Sequence, residues 1–326
     1  MTIDTLEATE VFQTYFEFTA ERQSIYEKRL RGEPQPWTND PVLSQYKFTN
    51  PFRASDRVSQ YLIRDVIYES GGSMEPGEVI FRGVHFKLFN SIDNWKAIKA
   101  EIGVPSRRTY NPRQHGKILG EAKKRGVKIW NTAYMQKPQY REDLPTKHER
   151  YLALLEKMVN DRVWEELTAA KSYRQAYGVL RRYPLFGDFL AMQILTDINY
   201  SPALNFDEND FIVAGPGCLD GMQKCFGIRP DQELAAEIIQ RIVERQEDMF
   251  ADLGLKPVTL FGRRLTAIDC QNLFCECDKY ARIAHPRYNL KRTEIKQKFR
   301  LTGPLPEPYF PPKWGLNPAG THSRSS

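Results

Sequence analysis

The sequence has 326 residues, 41% of them hydrophobic and 12% aromatic, which is enough apolar material for one large domain or two modest ones. Its formal net charge is +6, no apolar run approaches the roughly 20 residues that cross a bilayer, and the polar start Met1–Glu10 is no signal peptide. The five cysteines, Cys218, Cys225, Cys270, Cys275 and Cys277, are odd in number and confined to the C-terminal half, which argues against a disulfide framework and for a reducing cytoplasm.

Val11, Phe12, Tyr15, Phe16, Phe18, Ile25 and Tyr26 recur at helical spacing within residues 1–30, and the linker Gly32–Trp37 ends that helix. In the next segment, Asp40–Arg57, a helical backbone would put Arg53 and Arg57 on one face with Asp56 between them, which reads equally well as a surface salt-bridge network. Val58–Glu69 is helical in pattern and closes at Gly71-Gly72. Glu78–Asn90 is assigned to a helix because Ile80, Val84 and Leu88 fall four apart, with Trp95–Ile102 continuing in kind. His85 in that run is expected to be a hydrogen-bonded core residue rather than a ligand.

Arg150–Ala170 reads as one long helix and Tyr173–Arg182 as the next. The turn Tyr183-Pro184-Leu185-Phe186-Gly187 follows, with proline stopping one helix, glycine easing the turn and Asp188 capping a new helix through Phe189, Met192, Ile194 and Leu195. A helix N-terminus entered from glycine offers free N–H groups to a phosphate, so Gly187 is a candidate DNA contact. An acidic run, Asp207–Asp210, then meets Phe211-Ile212-Val213 and Gly215-Pro216-Gly217. Beyond it, Glu233–Leu253 and a segment through Asp269–Arg282 are helical, and the Pro- and Ser-rich residues 301–326 are expected to be disordered or draped over the surface. There is no repeat and no alternating strand pattern; the fold expected is all-α.

The basic excess is local. Arg107 to Lys128 holds eight Lys/Arg against Glu121 alone, and Arg287 to Arg300 holds six against Glu294 alone. With sixteen tyrosines, that pattern favours a nucleic-acid partner, and Lys123, Lys124 and Arg125 are candidate phosphate grips. Hairpin, helix and an aspartate entering an apolar segment resemble the helix-hairpin-helix DNA glycosylases. Cys218 and Cys225 carry the first spacing of the iron–sulfur cluster of some of those enzymes, but Ile228 stands where a third ligand belongs, so no metal is expected.

Three stretches together resemble the alpha-glutamyl/putrescinyl thymine pyrophosphorylase-like family, the amino acid:DNA transferases of phage thymidine hypermodification. They are Tyr46–Asn50 running into Phe52–Arg57, the hairpin with Asp210–Gly217, and Asp269–Glu276 with Asp278-Lys279-Tyr280. The resemblance implies a glycosylase-like helical core over residues 46–300 behind an N-terminal helical extension, residues 1–45. It also implies an enzyme that replaces the phosphate of phosphorylated 5-hydroxymethyluracil in double-stranded DNA with the amine of glycine or serine, protecting phage DNA from restriction. No cofactor is expected, because the leaving group is installed beforehand and the chain has no glycine-rich phosphate loop ending in Lys-Ser/Thr. No membrane partner is expected, and the location expected is the host cytoplasm.

Such chemistry needs fixed guanidinium donors for the departing phosphate, and Arg53 and Arg57 are candidates. It also needs a carboxylate to take a proton from the incoming ammonium: Asp210 by its place in the pattern, with Asp269 and Glu276 as alternatives. Gln271 and Asn272 suit the amide-like edge of a pyrimidine, and the resemblance adds Asn50, Asp56, Lys279 and Tyr280 as substrate contacts. A Cys275 thiolate could add to the ring, although a cysteine beside Phe274 on an apolar face is more often a small core residue. The competing functions are a glycosylase acting on a modified base, and a non-catalytic DNA-binding module.

Overall fold

The computed structural model describes residues 6–130, 140–301, 303–316 and 318. Among these residues there are thirteen α-helices and no β-strand, only isolated bridges at Tyr46–Lys298 and Leu260–Arg263. The all-α expectation is met.

The chain forms two units. The first comprises the chain up to Asp56, Phe211–Pro308 and the end from Leu316; the second comprises Arg57–Asp210 with Tyr309–Gly315. In this division the N-terminal helix groups with the last three.

The first unit contains α1 (Glu10–Leu30), α2 (Pro41–Gln45), α11 (Pro216–Phe226), α12 (Gln232–Asp252) and α13 (Ala267–Ala284). Thr9 caps α1 by accepting from Val11 N–H, and Thr266 and Asp269 form a reciprocal box at the start of α13. Sequence reading passed over α11, although Pro216 at its first turn and left-handed Gly227 just past its end bracket it. It packs on α13 at backbone distance: a Cβ on Gly221 would lie 2.1 Å from the Phe274 carbonyl oxygen, and one on Gly217 would lie 2.4 Å from Cys275 Sγ. Glycine is required at both places by this approach. Tyr15, Phe16, Phe250 and Phe274 fill the space between α1, α12 and α13, with ring centroids 4.5–5.1 Å apart.

The second unit runs from α3 (Arg57–Leu62), which passes into a π-helical turn at Ile63–Ile67, through α4 (Pro76–Phe89), α5 (Ile92–Ile102), α6 (Pro112–Lys124), α7 (Lys147–Asn160), α8 (Val163–Ala169), α9 (Tyr173–Arg181) and α10 (Asp188–Asn199). Buried Arg82 donates from all three guanidinium nitrogens to the carbonyls of Val66, Ile67 and Ser73, which satisfies the end of the π turn. Lys87 and Asp197 form a buried ion pair at 2.8 Å.

Several local expectations change. Residues 53–57 are not one helical face: Arg53–Ser55 is a single 3-10 turn and Asp56 is extended (φ −69°, ψ 146°), because Ser55 Oγ bonds back to the Phe52 carbonyl and competes with helix continuation. The long helix expected over 150–170 is two, broken where Arg162 takes a left-handed conformation (φ 54°). In the hairpin the left-handed residue is Leu185 (φ 74°), not Gly187 (φ −62°). Gly187 is the N-cap of α10 there, and Asp188 occupies the first helical position, accepting from Tyr177 Oη at 2.9 Å and Arg181 Nε at 2.6 Å instead of capping. His85 is fully buried as expected, among Phe81, Phe89, Trp95 and His115, but neither ring nitrogen has a hydrogen-bond partner among the described residues. Part of the tail expected to be disordered or draped over the surface is folded: Phe310 is buried, Tyr309 N–H donates to Gln60 Oε1, and Lys313 Nζ donates to the carbonyls of Asn199, Ser201 and Leu204.

Candidate active site around Asn50

The segment between α2 and the 3-10 turn carries little regular structure, so its backbone groups need partners elsewhere. They find them on α1 and α13. Asn50 N–H donates to Asp56 Oδ1 at 2.9 Å, and Asn50 Nδ2 to the Ser55 carbonyl at 3.0 Å, which curls residues 50–56 into a closed loop. Thr49 N–H donates to Glu276 Oε2 at 2.9 Å, and Arg53 N–H to Asp269 Oδ1 at 2.8 Å. Arg22 on α1 reaches in from the other side, with Nη2 2.6 Å from Asn50 Oδ1. The first and third sequence stretches singled out above are thus one structural feature, although more than 210 residues separate them.

The carboxylates differ in what surrounds them. Burial raises the Asp269 carboxyl, and the hydrogen bonds from Arg53 and Thr266 pull it back. With Arg53 N–H on one oxygen and both Thr266 N–H and Oγ1 on the other, buried Asp269 is a cap and a loop anchor, with three donors on its two oxygens. Glu276 holds Lys279 at 2.6 Å and the Thr49 amide. Asp56 is the unusual one. Burial lifts its carboxyl from 3.8 to about 7, against the lowering effect of the Asn50 amide, Arg22 and Arg53, with Glu276 pushing the same way as burial. A carboxyl poised near neutrality can exchange a proton in either direction.

The cations are arranged around the loop. Arg22 is buried enough that its guanidinium is lowered to about 10, and its Nη1 has no hydrogen-bond partner among the described residues. Arg53 is only 5% exposed. Lys279 lies 4.5 Å over the Phe48 ring, and Phe48, Phe18 and Tyr280 pack together, with Tyr280 Oη donating to Asp40 at 2.5 Å. Gln271 is buried with Oε1 unpartnered among the described residues, whereas Asn272 beside it is half-buried.

Of the residues singled out in the sequence, Asn50, Arg53, Asp56, Asp269, Gln271, Asn272, Cys275, Glu276, Lys279 and Tyr280 lie in the first unit. Arg57, Gly187, Lys123, Lys124, Arg125 and Asp210 belong to the second. Arg57 and Asp210 are both exposed. Lys123, Lys124 and Arg125 are exposed at the end of α6, Lys124 being paired with Glu121 at 3.0 Å. Burial, reinforced by Glu276, raises the Cys275 thiol to about 12, so it stays protonated near neutrality and is a poor nucleophile. Among the described residues no group of three or more His, Cys, Asp or Glu could hold a metal ion.

Two residues escaped the sequence reading. Arg22 sits inside the apolar stripe Tyr15, Phe18, Tyr26 of α1, and a charge in such a stripe was the available signal. Lys224 is fully buried on α11 and pairs with Asp278 at 3.2 Å, while Asp278 also takes Arg282. That group ties α11 to α13 directly behind the residues that hold the loop.

Comparison with known proteins bears on the same residues. A curated relative, the 5-hmdU DNA kinase of Bacillus phage SP10, is 41% identical over 66 residues, which is 20% of this chain and 10% of the relative. No solved structure matches significantly. The family model described as "5-hmdU DNA kinase, helical domain" matches residues 9–290, from the cap of α1 to just past α13, and the chain belongs to that family.

Proposed function

We propose that this chain is a transferase of thymidine hypermodification: it replaces the phosphate of 5-phosphomethyl-deoxyuridine in DNA with the amine of an amino acid, glycine or serine. Three supports stand together. Its family is named for DNA carrying 5-hydroxymethyl-deoxyuridine; the sequence contains no glycine-rich loop ending in Lys-Ser/Thr with which to hold ATP; and the loop at Asn50 gathers an acid–base group with cations. The observation that carries the reading is the closed loop at Asn50, in which Asp56 accepts the Asn50 amide at 2.9 Å and Arg22 reaches Asn50 Oδ1 at 2.6 Å, with burial raising the Asp56 carboxyl to about 7.

The base would leave the stack to reach the loop, at a cost of a few kcal/mol. Asp56 in its ionised form takes a proton from the amino acid's ammonium. The freed nitrogen lone pair attacks the exocyclic methylene, a C–N bond forms, and the C–O bond to phosphate breaks with its electron pair leaving on the phosphate. Arg22 and Arg53 are assigned to the anion, and Gln271 with Asn272 to the pyrimidine edge. Asp56 thereby takes the role expected of Asp210. Arg57, with Gly187, Lys123, Lys124 and Arg125, is assigned to double-stranded DNA on the second unit, and exposed Asp210 is given no part in the chemistry.

The printed names of the family and the phage relative favour one other reading, in which this helical unit presents a 5-hydroxymethyl base to a kinase. Nucleoside mass spectrometry separates the two. DNA containing 5-phosphomethyl-deoxyuridine, incubated with glycine or serine, should yield a nucleoside joined to the amino acid through nitrogen, with phosphate released. A product only from 5-hydroxymethyl-deoxyuridine with ATP would favour the kinase reading. An abasic site would indicate a glycosylase, and unchanged DNA a binding module.

A further inference from the structure

Of the six cations between Arg287 and Arg300, Lys291 stands exposed at a bend and the other five fall into two groups. Arg287 pairs with Glu10 at 2.6 Å and Arg292 with Asp220 at 2.7 Å, so both are spent on the fold. Lys296, Lys298 and Arg300 are exposed and form no ion pair among the described residues. Their backbone, however, is held. Lys298 bridges Tyr46 in antiparallel sense, Lys47 N–H donates to the Gln297 carbonyl at 3.0 Å, and Phe299 N–H donates to the Gln45 carbonyl at 2.8 Å. Ile295 is buried, and Phe299 meets the edge of Trp37 at 6.4 Å with the Arg29 guanidinium over its ring.

Alternate side chains of an extended segment point to opposite faces. With Ile295 buried and Phe299 half-buried against Trp37, the exposed Lys296, Lys298 and Arg300 fall on the other face, about 6.6 Å apart at 3.3 Å per residue. Tyr46, directly opposite Lys298, shares that face and is half-buried. Only Lys47 and Phe48 lie between Tyr46 and Thr49, whose amide is held by Glu276 in the candidate active site.

We propose that this strap is a rail for one strand of nucleic acid: Lys296, Lys298 and Arg300 contact its phosphates, and Tyr46 offers a ring to a base, beside the Asn50 loop. The proposal rests on the reading that the chain works on DNA, and it names where a strand runs. The row of cations has a spacing of two axial rises of about 3.4 Å per charge along a strand. An aromatic ring placed among phosphate-gripping cations is the combination that binds single-stranded segments, and a flipped base leaves its flanking nucleotides in need of such support.

The test is the salt dependence of binding for a labelled duplex and for a single strand of the same sequence, with wild-type protein and with the K296A/K298A/R300A variant. All three side chains are exposed, so the variant should melt at the wild-type temperature. If each cation neutralises one phosphate, the slope of log K against log salt becomes shallower by about 2.7 on a duplex, or by about 2.1 on a single strand. Tyr46→Ala should weaken binding at every salt concentration and leave the slope unchanged. A triple variant with the wild-type slope, while the wild-type protein binds in a salt-dependent way, overturns the strap and leaves the proposed function standing. Wild-type protein that binds no DNA at all overturns both. Binding to phosphatidylserine vesicles that depends on these three residues, with DNA slopes unmoved, would replace the nucleic acid with a membrane surface and overturn the strap as proposed.

Discussion

Asp56→Asn is the perturbation that bears most directly on the proposed chemistry. Asparagine keeps an oxygen to accept the Asn50 N–H, so the 50–56 loop should persist. It removes a carboxyl that burial raises from 3.8 to about 7. For activity, losing a positioned acid–base group costs about 10²–10⁴-fold, or about 3–5 kcal/mol of barrier. The wild-type rate should rise with pH through a limb near 7 as Asp56 ionises. Free amine accumulates equally for both proteins, so the ratio of wild-type to variant rates isolates Asp56. Stability gives a second, independent readout. Because the folded value lies above the unfolded one, the folded protein holds the extra proton between about pH 4 and 7. This contribution is fully present below the unfolded value and is lost as pH rises through the folded value. Its ceiling is about 4 kcal/mol at 1.36 kcal/mol per pH unit. Denaturant midpoints at pH 4.5 and pH 8 should therefore differ more for wild type than for Asp56→Asn. An active variant, or matching pH dependence of stability in the two proteins, would refute the assignment.

Other substitutions test neighbouring steps. Gly221→Ala must push α11 off α13, since its Cβ would sit 2.1 Å from a carbonyl oxygen; we expect a loss of about 3 kcal/mol or more by chemical denaturation. Gly178→Ala in α9, where nothing lies within 4 Å of the new carbon, should instead stabilise by about 0.5–1 kcal/mol. Asp278→Ala leaves buried Lys224 without its carboxylate and should cost about 3–5 kcal/mol, measured the same way. Cys275→Ala should retain turnover in the nucleoside assay, since the thiol is raised to about 12; an inactive but folded variant would restore covalent catalysis as an explanation.

Helix existence was largely legible because it depends on local period. The stripe in α1, the four-residue spacing in α4 and the apolar face of α13 each bury the residues their spacing predicts. Breaks and ends were less legible, since they depend on single residues whose alternatives differ by about a kcal/mol. Arg162 enters the left-handed region with no glycine to announce it, and Leu185 takes the strained place in the hairpin while Gly187 does not. The short α11 was hidden because its buried face is Cys218, Gly221, Met222, Lys224 and Cys225, in which Met222 is the one large apolar side chain and makes no stripe by itself.

The candidate site was legible only as fragments. Asn50, Asp56, Asp269 and Glu276 were each singled out, but which carboxylate does acid–base work is decided by what occupies its oxygens, and no spacing records that. Asp269 resembles a base in sequence and is a cap in structure, with three donors on its two oxygens. Asp56 resembles a salt-bridge partner in sequence, yet it keeps its proton close to neutrality because the chain closes over it. The same holds for the cations. Arg53 and Arg57 look equivalent four residues apart, until a single 3-10 turn buries the first among the residues of α13 and leaves the second at the start of α3. Arg22, a charge in the middle of an apolar helix face, is the second guanidinium of the site beside Arg53. Burying that charge carries a desolvation cost, which the hydrogen bonds to Asn50 and the Phe48 carbonyl offset only in part, since one guanidinium nitrogen stays unpartnered among the described residues. An anion held at that nitrogen would complete its set of partners, which is why Arg22 rather than Arg57 is paired with Arg53 in the mechanism proposed here.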